Sequence, residues 1–417
     1  MSASAKSKAV AAILLAVAIP VAAAAVERGA MLGEAPEYEQ HEWVCEAVNV
    51  TGVDCPDWYE SDFTPGTYYG LPYDWGGFVS WEEFDADIAA GQGAGSHSWD
   101  GVLDCTTGLD CSGYVSVLWE LPWKHGTSTL HEVSDAIDVR DMYPGDVYND
   151  AGSHVIMWLG KDDSGEALIS ESGGYCNGVC RRSVSWSHFD GYTPRAPDAD
   201  YVQTATVTGF AGTTADPIEI GSLPFRDWRN TRVAASDVFD YYSAAPDIDE
   251  SGPEYVYAME LPSAGTVTAS LLDAPQVDID LHLLGSLDAD DCLARAHIEL
   301  EHEVTVGGTY YLTADSWVGS DSTVYSGAYV MDVDFTSADV DADADSDSDT
   351  DSDSDGEDTS DGSDTSDTSD TSDTSDTSDG SDGSDGSDSS CDCRAVGSRS
   401  SGGGLPALLL ELAPEGA

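Results

Sequence analysis

The chain has 417 residues, 41% of them hydrophobic, and sets 15 Lys and Arg against 79 Asp and Glu for a formal net charge of -64. That length holds two globular domains plus tails, with enough apolar content for true cores. The acidic excess argues against nucleic acid or anionic lipid as partner, because phosphate binding rests on clustered Lys and Arg, and it suits a highly solvated, salt-tolerant exported protein.

Residues 1–25 place Lys6 and Lys8 before an apolar run that ends in small residues at Ala25. This is the layout of a secretory signal peptide, and the run is too short and Ala-rich to read as a membrane span. No cysteine near Ala25 suggests a lipid anchor, and no paired arginines mark a twin-arginine signal. The mature chain is expected to begin near Val26 and to be exported to the periplasm, the cell surface or the medium, where disulfides persist.

Residues 30–200 carry the chemistry. The stretch DCTTGLDCSGYVSVLW, from Asp104, contains an Asp-Cys pair twice, and only the second runs into an apolar stretch. Asp110 fits an N-cap, and Val115, Leu118 and Trp119 lie at helical spacing, so Cys111 falls in a helix's first turn. Free N–H groups and the helix dipole stabilise a thiolate there. Cys105 sits in loop sequence without that support. His154 stands in SHVIMWLG, whose alternation predicts a strand with His154, Ile156 and Trp158 on one face. A second strand from Ala167 to Ser172 offers LISES as the source of a group to orient the imidazole. Glu171 is the first choice there and Ser170 the second, and strand alternation makes the two mutually exclusive.

Four blocks in order, GLPYDWGG, DCSGYV, PGDV and HVIMWLG, resemble the NlpC family of bacterial cell-wall cysteine peptidases. The resemblance covers about 100 residues, and four ordered blocks are more specific than any one of them. It implies an α+β papain-like catalytic domain that hydrolyses amide bonds in peptidoglycan stem peptides, commonly between D-glutamate and a diamino acid. By the same resemblance Cys111 is the nucleophile and His154 the general base. Tyr73, Asp110 and Ser112 correspond to positions lining the substrate site, and Gly145 and Asp146 look structural. The family's third catalytic position is commonly His, Asn or Gln, so the carboxylate of Glu171 is a departure. A second departure is the long segment from Gly77 to Asp110, which implies an extra wall or lid and makes His97 an outside candidate for the site.

Residues 216–335 show short strand-like runs separated by turn residues, among them YVYAMELP, GTVTASLL, TYYLTADS and SGAYVMDVDF. Alternation of Tyr255, Tyr257, Met259 and Leu261 predicts an all-β antiparallel sandwich. ESGPEYVYAMELPSAGTV, VDIDLHLL and VGGTYYLTAD are similar to the bacterial pre-peptidase C-terminal domain, an accessory jelly-roll module of secreted hydrolases. Asp278 and Asp280 are read as alternating acids on a solvent face in preference to calcium ligands. No catalysis is assigned to this segment.

Residues 337–390 carry 21 acidic and no basic side chains in tandem TSD and GSD triplets, a composition expected to be a disordered, self-repelling linker. DSDSDGEDTSDG, from Asp351, imitates a calcium loop, but Gly362 stands where a bidentate Glu is needed. Residues 391–417, with Cys391 and Cys393 before a short Leu/Ala run, resemble a degenerate myxobacterial-type sorting tail, with a frayed terminus as the alternative.

Nine cysteines leave at least one unpaired thiol. Cys45 with Cys55, and Cys176 with Cys180, are the expected bridges, while Cys105 and Cys292 stay unassigned. The expected function is thioester chemistry through Cys111 and His154, with no metal or organic cofactor, acting on peptidoglycan stem peptides. An amidase or acyltransferase on the same fold, and a non-catalytic surface protein that binds peptidoglycan, are the competing classes.

Overall fold

The computed structural model describes residues 25–97 and 101–338. The signal segment and the acidic repeat beyond Ala338, with the sorting tail, lie outside the described residues. Ser337, the first residue of the expected linker, is the last residue of the strand Ala328–Ser337.

The helix Arg28–Glu39 is capped by Glu27, whose Oε2 accepts from the N–H of Ala30 at 3.0 Å. Met31, Leu32, Ala35 and Tyr38 form its buried stripe at helical spacing. The short helix Trp81–Ala89 starts on a capping box in which Ser80 and Glu83 satisfy each other's backbone N–H. The helix Cys111–Leu118 is capped by Asp110, whose Oδ1 accepts from Gly113 N–H at 2.7 Å.

The helices Arg28–Glu39 and Cys111–Leu118 pack against a six-stranded sheet in the order Gly178–Val184, Ala167–Gly173, His154–Lys161, Val147–Asp150, Thr193–Pro197, Ser134–Ala136. Every neighbour in it is antiparallel. Alternation in HVIMWLG decides its two faces. Val155, Met157 and Leu159 pack with Tyr114, Val115, Leu118 and Trp119 of the Cys111 helix region. Ile156 and Trp158 point the other way, into a cluster with Tyr148, Ile169 and Phe189. Each such fully buried large side chain contributes about 1.5–3 kcal/mol relative to exposure.

The second module is a two-sheet sandwich. One sheet runs Ile218–Ile220, Glu254–Leu261, Gly308–Ser316, Ile279–Leu284, Cys292–Ala296, and the other Phe225–Asn230, Ala328–Ser337, Gly265–Asp273, Glu299–Val304. Tyr257, Met259, Leu281 and Leu312 from the first meet Val267, Leu271, Tyr329 and Met331 from the second. One edge departs from the expected antiparallel pattern, since Ile218–Ile220 pairs parallel with Glu254–Leu261. A larger correction concerns Asp280, which is buried and faces Arg295 and His297. The alternation there does not mark a solvent face, because these basic groups cover the carboxylate.

The two modules pack directly on each other. Trp228, Leu272 and Val330 of the four-stranded sheet join the core of the first module. Gly160, at φ +147 beside a bulge, lies so close to Leu272 that a Cβ would meet it at 3.0 Å. At the same seam Lys161 pairs with Asp273. Asp146, fully buried, accepts from Arg28 Nη1 at 2.7 Å and from Tyr143 N–H at 2.8 Å. Burial pushes its carboxyl above the ordinary value, with Arg28 opposing.

Candidate active site

Cys111 is the first residue of its helix and His154 the first of its strand. Helix and strand pack through the apolar faces just described, which brings these two starting points together. The Cys111 thiol is close enough to the His154 ring to raise its pKa. The ring's Nε2 lies 2.5 Å from Glu171 Oε2. Burial alone would lower the His154 pKa. Cys111 beside the ring, the hydrogen bond to Glu171 and the negative charge of both overcome it and raise the value to about 9. Burial likewise pushes the Glu171 carboxyl up, but His154 and Arg182 outweigh it and hold the group below its ordinary value.

Glu171 is only 3% exposed, and its two oxygens have separate partners. Oε1 accepts from Arg182 Nε at 2.7 Å and lies 2.6 Å from Arg182 Nη2, while Oε2 faces His154. Ser170 turns to the opposite face, where its hydroxyl lies 2.6 Å from Tyr114 OH in the core. The strand thus brings Glu171 to the Cys-His pair and takes Ser170 away from it.

Asp110 and Ser112 lie at the base of the site. Asp110 Oδ1 accepts from Ser112 Oγ at 2.9 Å as well as from Gly113 N–H, and Oδ2 accepts from Gly76 N–H at 3.0 Å and pairs with Lys124. These bonds fix the start of the Cys111 helix to the YDWGG turn. That contact also explains Gly113, where a Cβ would fall 2.0 Å from Gly77 O. Beside it Asp74 is buried. Desolvation raises its pKa to about 7, with a hydrogen bond from Thr106 opposing the shift and the Asp110 charge adding to it.

Tyr73 feels the charges of Cys111 and Asp110, which together with the larger effect of burial raise its pKa. Its ring stacks on His97, with centroids 4.6 Å apart and planes at 14°. His97 Nε2 lies 2.7 Å from Asn177 Oδ1 and 3.5 Å from Asp62 Oδ2. The segment from Gly77 to Asp110 therefore does supply a residue to the neighbourhood of the site.

The cysteines separate cleanly. Cys55 is bonded to Cys105 and Cys176 to Cys180, while Cys45, Cys111 and Cys292 are free among the described residues. The expected Cys45–Cys55 bridge is wrong. Cys45 is 1% exposed and packs in the core from the strand Glu42–Cys45. Cys55 instead faces Cys105, 5.3 Å away between Cα atoms although 50 residues distant in sequence. Of the repeated Asp-Cys pair, the first is a structural crosslink and the second carries the free thiol beside His154.

Sequence reasoning missed Arg182, Asn177 and Lys124. The signal for Arg182 lies in register: Glu171 stands opposite Cys180, so Arg182 is its diagonal neighbour on the same face. Nothing in the sequence reports Asn177, whose backbone takes the left-handed region at φ +55 inside the Cys176–Cys180 loop. Among the described residues one group could hold a cation, Asp273, Asp278 and His297 in the sandwich, but Asp273 is already paired with Lys161.

No family model matches the chain, and no curated protein matches it. Among solved structures, one neighbour is the pre-peptidase C-terminal domain of a collagenase from Bacillus anthracis. It is 20% identical and covers 28% of this chain and 93% of that one, with a TM-score of 0.20. PliG, a periplasmic inhibitor of g-type lysozyme, matches from Aeromonas hydrophila at 8% identity, over 29% of this chain and 96% of that one, with a TM-score of 0.21. PliG from Salmonella Typhimurium matches at 9% identity, over 29% and 98%, with a TM-score of 0.17.

Proposed function

We propose that the chain is an exported, papain-like cysteine peptidase of the NlpC type that hydrolyses amide bonds in peptidoglycan stem peptides, between D-glutamate and a diamino acid. The observation that carries the reading is the connected series Cys111, His154, Glu171, with the one sulfur at a helix start that is left unbonded beside a histidine. The four ordered blocks, from GLPYDWGG to HVIMWLG, support the family and substrate class. The two disulfides support export, and the sandwich is read as an accessory module of the pre-peptidase C-terminal type.

In this reading His154 holds the thiol proton, and the Cys111 sulfur attacks the scissile carbonyl. The N–H of Cys111, at a helix position without an intrahelical acceptor, donates to the oxyanion. The imidazolium then gives its proton to the leaving amine, and the acyl group stays on sulfur as a thioester. Water, deprotonated by His154, releases the acid and restores the thiol. Tyr73 lines the approach to the sulfur, while Asp110 and Ser112 hold the geometry of its first turn. The test is hydrolysis of a purified stem peptide by the mature chain and by Cys111→Ala, followed by mass spectrometry of the products. Cleavage that disappears with the thiol supports the reading, and cleavage retained without it rejects the reading.

A further inference from the structure

We propose that Arg182 is a positioning residue of this site, gripping one oxygen of Glu171 so that the other stays on His154. The inference rests on the cysteine-nucleophile reading above and adds to it a residue from outside the four sequence blocks.

The argument begins with the burial of Glu171. A buried carboxylate needs a donor for each oxygen, because an unpaired one loses its water without compensation. His154 serves Oε2, and Arg182 alone among the described partners serves Oε1, through both Nε and Nη2. Remove Arg182, and the carboxylate must rotate towards water or take up a proton. Either change loosens its hold on Nε2.

Charge balance gives the same answer. The groups facing His154 and Glu171 come from several elements: Cys111 from its helix, Asp150 from the paired strand, Arg182 from the next strand, and Tyr192 beyond it. With Cys111 as thiolate and His154 as imidazolium, Glu171 brings a second negative charge into a partly buried site. The guanidinium cancels it. A neutral amide at that position would need no such partner, which is why a carboxylate and an arginine belong together here.

Arg182 is itself held. Its guanidinium lies 4.5 Å from the Tyr175 ring centroid, and Tyr175 directly precedes the Cys176–Cys180 bridge. The diagonal register across the two strands sets its approach to Glu171, while Arg181, pointing the other way, pairs with Glu39.

The test is the rate of Cys111 alkylation by iodoacetamide from about pH 5 to about pH 10, together with the NMR titration of His154. Four variants of the full chain are compared with the parent: Arg182→Met, Arg182→Lys, Glu171→Gln, and Glu171→Gln with Arg182→Met. Arg182→Met is expected to slow alkylation at neutral pH about tenfold and to move the His154 inflection towards the ordinary histidine value. Arg182→Lys, which keeps the charge but not the two-nitrogen grip, falls between. In the Glu171→Gln background, Arg182→Met is expected to add no further loss, because its effect runs through the carboxylate. Additive losses in the double variant, or an unmoved His154 inflection in both Arg182 variants, overturn the proposal. If circular dichroism shows Arg182→Met unfolded, Arg182→Lys decides. Fast alkylation of the parent with no dependence on Arg182 rejects this inference alone, whereas parental Cys111 reacting no faster than a free thiol rejects the peptidase reading with it.

Discussion

His154 and Glu171 meet across neighbouring strands at 2.5 Å, Nε2 to Oε2, while Ser170, one residue away, is turned into the core against Tyr114. The two neighbours should therefore fail differently. Glu171→Ala leaves the imidazole without its tether and Arg182 without its buried carboxylate, so it is expected to lower Cys111 reactivity about a hundredfold and to cost stability as well. Ser170→Ala is expected to leave reactivity alone and to cost about 1 kcal/mol through the buried hydroxyl pair. Alkylation kinetics and urea unfolding, measured on both variants, separate the two effects.

A pH dependence follows from the same contact. The folded chain raises the His154 pKa from 6.5 to about 9, so the native state binds this proton more tightly than the unfolded chain. The stability it contributes is complete below pH 6.5 and drains away as pH rises through about 9. Glu171, held below its ordinary value, behaves oppositely: its contribution is present above the ordinary carboxylate range and is lost on acidification through the folded value. The stability difference between parent and His154→Gln, followed by urea midpoints, is expected to shrink across the alkaline window. A difference that stays constant there rules out the bound proton.

The crosslinks should be unequal. Cys55–Cys105 closes 50 residues of chain and Cys176–Cys180 only 4, and the entropy removed from the unfolded chain grows with loop length. Replacing Cys55 and Cys105 with serine is expected to cost about 2–4 kcal/mol. The same change at Cys176 and Cys180 should cost less in stability but disturb Asn177 and its contact with His97. Denaturant titration gives the first effect, and cleavage or labelling kinetics the second.

These contacts also show what a sequence can and cannot report. Periodicity revealed the Cys111 helix, the His154 strand and most strands of the sandwich, because each presents an apolar face to one core. It missed Phe225–Asn230, whose apolar signal is interrupted by Arg226, Asp227 and Arg229, groups that pair with Asp332 or with each other. It also misjudged Asp280, since alternation reports the period of a strand and not what covers each face. The Cys55–Cys105 crosslink joins distant segments that only the folded chain brings together, so proximity in sequence pointed to the wrong partner.

Gly113 offers a sharper test of how the site is built. A Cβ there would lie 2.0 Å from Gly77 O, a backbone atom that cannot move aside as a flexible side chain can. Gly113→Ala must push the Cys111 helix off the turn that precedes it, stretching the cap from Gly113 N–H to Asp110 and the bond from Gly76 N–H to the same carboxylate. The expected cost is about 1–3 kcal/mol, accompanied by slower alkylation of Cys111 because its first turn no longer faces His154 squarely. Gly33→Ala is the control. That glycine lies inside the helix Arg28–Glu39 with nothing within 4 Å of the new methyl, so alanine should stabilise the helix by about 1 kcal/mol and leave the thiol untouched. Differential scanning calorimetry and alkylation of the two variants decide the matter: equal, small effects would mean that the helix start tolerates displacement and that the close approach to Gly77 does not position the sulfur.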